Sequence, residues 1–303
     1  MKENIWKQLY EKIEEQYIYR EEPMSKHTTF RIGGNAECFI DVNSKEALQH
    51  ALQVCRANDI PYYVIGNGSN VLVSDAGLRG VVICIGKFMS RIHSTENSIY
   101  VEAGAILSRV AKEALKQELT GLEFAAGIPG TIGGAVAMNA GAYGGEMKDV
   151  IVNATIIDRE GTFRVLTNAE LDFRYRGSRV QLEEFIVVDV TLELKKGSTM
   201  EISEKMKELK LARVSKQPLE FPSAGSTFKR PEGYFAAKLI DDAGLRGLRV
   251  GDAQISEKHC GFLINRGNAT AKDVRLLMKD VEEKVHKVHG VKLEAEVKCF
   301  GEF

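Results

Sequence analysis

The chain has 303 residues, more than one hydrophobic core usually organises, so two or three subdomains are expected. Apolar residues make up 44% and charged residues 27%, and 41 basic against 42 acidic side chains leave a net charge of -1. That balance excludes a disordered chain and a sequence-independent grip on nucleic acid, which needs clustered cations.

Residues 1–19 mix Lys and Glu throughout without a signal-peptide pattern, and no later run is long and apolar enough to span a membrane. The five cysteines form no CxxC pair, which fits a reducing, cytoplasmic setting with the cysteines as small core residues. Ile5, Trp6, Leu9 and Ile13 recur at helical spacing and predict an amphipathic first helix. From Phe39 the pattern is α/β: a strand to Val42, a helix capped by Ser44, then strands over 62–65, 71–73 and 81–85. A strand over 99–103 and a helix over 106–119 precede a glycine-dense stretch, 121–145, that is too apolar for a linker. Runs at 150–158 and 163–166 flank the hairpin signal Arg159, Glu160, Gly161, and with 185–194 they read as a mixed sheet. Beyond Gly197 come a charged helix over 200–213, an irregular segment over 218–233 and a helix over 234–243 stopped by Gly244. The last helix starts at Thr270, with Asp273 three residues on, and stops at Gly290, and a closing strand covers 291–300.

Two glycine segments carry the first chemical signal. Gly66, Asn67, Gly68, Ser69 and Asn70 lie between apolar strands, where successive backbone N–H groups can cradle phosphate, although a tight turn would use the same residues. Gly127, Ile128, Pro129, Gly130, Thr131, Gly133, Gly134 and Ala135 interrupt a segment that otherwise wants burial. Glycine there costs roughly 0.5–1 kcal/mol per site against alanine, so a compensating role such as close approach to a flat ligand is expected. Neither segment completes a G-x-x-x-x-G-K-[ST] or G-x-G-x-x-G pattern, which disfavours kinases and ordinary dinucleotide dehydrogenases.

Downstream, Tyr175 and Arg176 follow a short turn capped by Asn168, and a guanidinium fork suits carboxylate or phosphate as well as a surface ion pair. Ser226 and Lys229 lie in a glycine-containing loop without the G-x-S-x-G elbow of a hydrolase serine. Alternation over 291–298 puts Lys292, Glu294, Glu296 and Lys298 on one solvated face. His286 and His289 lack a third ligand, and no metal is assigned.

Taken in order, the segments 27–34, 66–70, 127–134, 139–144 and 293–297 closely resemble the UDP-N-acetylenolpyruvoylglucosamine reductase family of bacterial cell wall (peptidoglycan) precursor synthesis, nearly end to end. The resemblance implies an α+β chain with the FAD-binding fold of vanillyl-alcohol-oxidase (PCMH) type and a third, substrate-binding subdomain. It implies FAD-binding parts over 1–87, with 297–303 returning, and 88–200, and a substrate part over 201–296. It implies non-covalent FAD, NADPH as hydride donor and a UDP-sugar substrate, with no nucleic acid, membrane or obligate protein partner. By motif it makes Arg176 the enol-stabilising arginine, Ser226 the proton donor and Glu296 the catalytic carboxylate, with Tyr175, Lys216, Lys229 and His259 near the substrate. The short passage over 150–197 leaves little room for the tyrosine-bearing insertion of longer members. An FAD oxidase of the same fold and a flavin-binding regulatory module remain as alternatives; neither accounts for Arg176, Ser226 and Glu296 together.

Overall fold

The computed structural model describes residues 1–303. The chain forms two compact units: Met1–Tyr19, Cys38–Asn67 and Gly80–Arg213 make the first, and Arg20–Glu37, Gly68–Arg79 and Val214–Phe303 the second.

In the first unit, helix α1 (Glu3–Tyr10) buries Ile5, Trp6 and Leu9, and Ile13 is buried just beyond its end, so the amphipathic reading holds. Helix α2 (Lys45–Ala57) starts as expected at Ser44, whose hydroxyl accepts the Ala47 amide. One sheet has the strand order Ile18–Pro23, Asn35–Asp41, Leu78–Cys84, Tyr62–Ile65, the last two parallel. The other has the order Phe163–Thr167, Ile151–Ile157, Ile186–Glu193, Ser98–Glu102, Ile92–Ser94. It is antiparallel throughout rather than mixed, because its strands are joined by hairpins and return connections. Helices α3 (Leu107–Lys116), α4 (Ile132–Met138) and α5 (Arg179–Leu182) complete the core, and α6 (Thr199–Lys216) leads out of the unit. The glycine-dense stretch thus contains a real helix, α4, capped by the Thr131 hydroxyl on the Gly134 amide.

In the second unit a four-stranded antiparallel sheet has the order Ser223–Ser226, Phe262–Asn265, Ala253–Ile255, Arg249–Val250. Helices α7 (Ala236–Asp242) and α8 (Ala271–His289) pack into its core with Phe30, Ile32 and Leu72. The Thr270/Asp273 capping box forms, and Gly290 ends α8 at φ 70°, as the sequence predicts. The Asp75 carboxylate adds a second cap from far away in the chain by accepting the Ala271 and Lys272 amides.

The expected closing strand over 291–300 is mostly absent. Only Lys298–Phe300 is strand, parallel to Val71–Val73; Ala295 makes a single bridge to Phe228, and Glu296 turns in to donate its amide to the Thr227 carbonyl. Glu296 is therefore half-buried rather than on a solvated face. Asn168 also departs from its expected capping role. Its amide binds the Lys148 and Ile151 carbonyls, while Glu170 receives the Thr167 amide and hydroxyl. Four of the five cysteines are buried, and burial pushes the Cys55 and Cys84 thiols up to about 12.

Candidate cofactor and substrate site

Within the first unit the two glycine segments are locked together. Asn67 donates its side-chain amide to the Pro129 carbonyl, and a methyl group at Gly66 would stand 2.2 Å from the Thr131 hydroxyl. The second segment is also pinned to residues 103–107, which join the strand Ser98–Glu102 to α3: Ile132 and Gly133 donate to the Ala105 and Ala103 carbonyls, and Leu107 donates to the Gly130 carbonyl. Gly133 is thus glycine partly for packing, since a Cβ there would lie 2.9 Å from the Ala103 Cβ. Gly134 is different, because its Cβ position meets only the Thr131 hydroxyl, at 3.6 Å, and opens on a cavity of about 160 Å³. Gly66, Thr131, Gly133, Gly134 and Ala137 line that cavity on one side, with the apolar Val64, Ile65, Ile85, Val180, Phe185 and Val187 around it. Ile128 packs partly buried on the unit's core and Ala135 is buried in it.

Asn139, almost completely buried at the left-handed end of α4, carries order from this cavity to the predicted arginine. Its side-chain amide donates to Glu146 and to the Arg174 carbonyl. Arg174 and Gly177 exchange backbone hydrogen bonds of 2.9 and 3.2 Å, which makes Tyr175 and Arg176 the tip of a two-residue turn. Arg176 sits at φ 54°, a strained conformation for a side chain of this size, held by anchors on both sides of the turn. The second anchor is Ser178, which donates to the Ala137 carbonyl. The Arg176 guanidinium lies 5.3 Å from the ring centre of Tyr175, which is 57% exposed.

In the second unit a bulge at Gly225 (φ 78°) separates the register pairs Ser223 with Ile264 and Ser226 with Phe262, and leaves Ser226 exposed at the strand end. The next residue, Thr227, is buried and ties three segments together. Its amide donates to Gly261, its hydroxyl accepts the Leu263 amide, and its carbonyl accepts the Glu296 amide at 2.8 Å. Asn70 of the first glycine segment donates to the Glu296 carbonyl, so Ser226, Glu296 and Asn70 meet in one unit. Gly68, in the same segment, accepts the Thr29 amide, and half-buried Ser69 lies in the turn beside it.

Phe262, opposite Ser226, meets the His259 ring edge-on at 5.1 Å. The Gly261 amide donates to His259 Nδ1, which leaves the proton on Nε2, and burial lowers the imidazole's pKa below its ordinary value. Lys229 is ion-paired with Glu294, and Lys216 closes α6 as an exposed residue. Sequence reasoning missed Asn139 and Thr227 because their partners lie on other elements.

The His259 arrangement has a pH signature. Its folded pKa is depressed, so as pH falls through about 6.5 the unfolded chain takes up the proton first and stability is lost. Urea melts of the wild type and of His259→Asn between pH 7.5 and 5.5 should diverge, with the wild type losing more stability at the acid end; parallel curves would remove this account of His259.

Comparison with known proteins now adds to this geometry. The model of the UDP-N-acetylenolpyruvoylglucosamine reductase C-terminal domain matches residues 217–300, and that of an FAD binding domain matches 36–167. The UDP-N-acetylenolpyruvoylglucosamine reductase of Agathobacter rectalis is 51% identical over 315 residues, covering 100% of both chains. The chain belongs to this reductase family.

The Clostridium novyi reductase is 48% identical, over 99% of this chain and 97% of its own. A solved reductase of the family, from Thermus caldophilus, is 40% identical, with a TM-score of 0.80 over 92% of this chain and 97% of that one. A Phl p 4 variant that is a glucose oxidase, 12% identical, shares the fold with a TM-score of 0.52 over 97% of this chain and 60% of its own. As a member of the reductase family the chain is an FAD-containing oxidoreductase. The apolar wall of the cavity and the missing Cβ at Gly134 suit a flat apolar ring such as that of a flavin. Gly134→Leu should fill the cavity. Flavin should then be lost while the apoprotein melts no lower than wild type, since leucine is the better helix former. Full flavin occupancy in that variant would place FAD elsewhere.

Proposed function

We propose that the protein reduces UDP-N-acetylglucosamine enolpyruvate to UDP-N-acetylmuramate with NADPH, as a cytoplasmic step of peptidoglycan precursor synthesis. The observation that carries this reading is the Thr227 junction, which holds a proton-donating hydroxyl, Ser226, next in sequence to the residue that binds the Glu296 amide. The family membership of the full chain supports it. No helix is long and apolar enough to cross a membrane, which is compatible with a small-molecule substrate met in water.

Bound FAD would supply the hydride chemistry, with NADPH as the source of the electrons and the terminal carbon of the enolpyruvyl group as the acceptor. Negative charge then develops on the neighbouring carbon and its carboxylate. Arg176, already fixed in a strained turn, binds that carboxylate and stabilises the charge without further reorganisation. Ser226 delivers the proton to the same carbon, which completes the addition of two hydrogens across the double bond. Glu296 orients the enol side of the substrate and takes part in its protonation.

Tyr175, Lys216 and Lys229 contact the UDP-sugar, and His259 offers it an Nε2 proton. Residues 66–70 and 127–135 hold FAD without a covalent bond. On this reading 1–87 with 297–303 and 88–200 serve the cofactor and 201–296 the substrate. Turnover with NADPH and the UDP-linked enolpyruvyl sugar should give a product two hydrogens heavier by mass spectrometry. A flavin-loaded protein that leaves the sugar unchanged would sink the proposal.

A further inference from the structure

Several arginines of the first unit are matched by carboxylates. Arg91 pairs with Glu102, Arg174 with Asp172 and Arg179 with Glu183. Arg213, near the end of α6, is half-buried, and burial draws its pKa below the usual guanidinium value. The ionisable group that acts on it is the Tyr143 phenol rather than a carboxylate.

Packing rather than counter-charge holds Arg213 in place. A Cβ on Gly127 would lie 3.0 Å from its Cδ and 3.3 Å from Nη1, so the side chain rests directly on the first glycine of the second segment. Space beside it is open: Tyr143 is 46% exposed, and the Cβ position of Gly144 meets nothing within 4 Å. A half-buried cation without an anion is costly, and an anionic ligand that reaches it offsets that cost.

We propose that Arg213 anchors a phosphate group of a nucleotide bound against the Gly127 segment. The guanidinium fork matches two phosphate oxygens at once, which a lysine cannot do. This rests on the reading that nucleotides bind at the glycine segments. The shared chemistry is a nucleotide phosphate or diphosphate, carried by FAD, NADPH and the UDP-sugar alike.

Arg213→Met and Arg213→Lys separate the three sources. In each variant one measures the dissociation constant of FAD by flavin fluorescence, KM for NADPH, KM for the UDP-linked sugar, and the melting temperature of the apoprotein. The constant for one nucleotide should rise about 10- to 100-fold in Arg213→Met, the range of a lost charge-assisted hydrogen bond, while the other two stay within about threefold. Lysine should restore part of the loss, and the apoprotein should melt no lower than wild type. Inorganic diphosphate should compete with that nucleotide and weaken by a similar factor in Arg213→Met. Three unchanged constants would overturn the proposal, as would a common rise of all three with a lower melting temperature. If the wild type fails to reduce the sugar, the functional reading fails, yet the FAD and diphosphate measurements still decide the role of Arg213.

Discussion

Ser226→Ala should leave FAD binding and its reduction by NADPH intact while the reaction of the reduced enzyme with the UDP-linked sugar slows about 100- to 10,000-fold. That range is what general acid catalysis contributes, and no other hydroxyl stands at the exposed end of this strand to replace it. The effect should stay confined to that half-reaction, because the backbone that places Glu296 runs through Thr227, not through the Ser226 side chain. Stopped-flow absorbance of the pre-reduced variant mixed with the sugar reads the step directly. Reoxidation at the wild-type rate would remove Ser226 from the chemistry, and cysteine at this position should recover part of the rate.

The second large effect is expected at Gly68. Its φ of 58° lies in the left-handed region, and a Cβ there would stand 1.9 Å from the His27 carbonyl oxygen, a backbone atom that cannot swing aside. Gly68→Ala should force residues 66–70 out of place and weaken FAD at least 100-fold. Helix content by circular dichroism should be kept, because the cores of both units lie elsewhere. The purified variant should be colourless and should need a large excess of FAD to become yellow. A variant that purifies with its full flavin would show that the first glycine segment is only a turn, the alternative that its sequence leaves open.

What could be read in advance follows the range of the interactions. Helix ends were legible because their signals lie within four residues: Ser44 caps α2, Thr270 with Asp273 starts α8, and Gly290 stops it. The second cap on α8, from Asp75, was invisible because nearly two hundred residues separate the partners. The stretch over 291–297 alternates like a strand, with Leu293 and Val297 buried, yet its backbone hydrogen bonds are with Lys229 and Thr227 at a single bridge rather than with a continuous neighbour. Alternation reports which side chains face the core and does not require a ladder. Arg176 and Ser226 were legible through family motifs, whereas their supports, Asn139 and Thr227, are ordinary polar residues whose role appears only when distant carbonyls and amides reach them. Arg213 was hidden for another reason, since in sequence it is one cation among many on a charged helix.

The central claim is that reducing equivalents pass from NADPH through bound FAD to the enolpyruvyl sugar. Its most direct test is an anaerobic titration of the purified holoenzyme: bleach the flavin absorbance with NADPH, then add UDP-N-acetylglucosamine enolpyruvate. The oxidised spectrum should return in proportion to the sugar added and without oxygen. Absorbance that stays bleached until air is admitted would contradict the account and point to an oxidase built on the same fold.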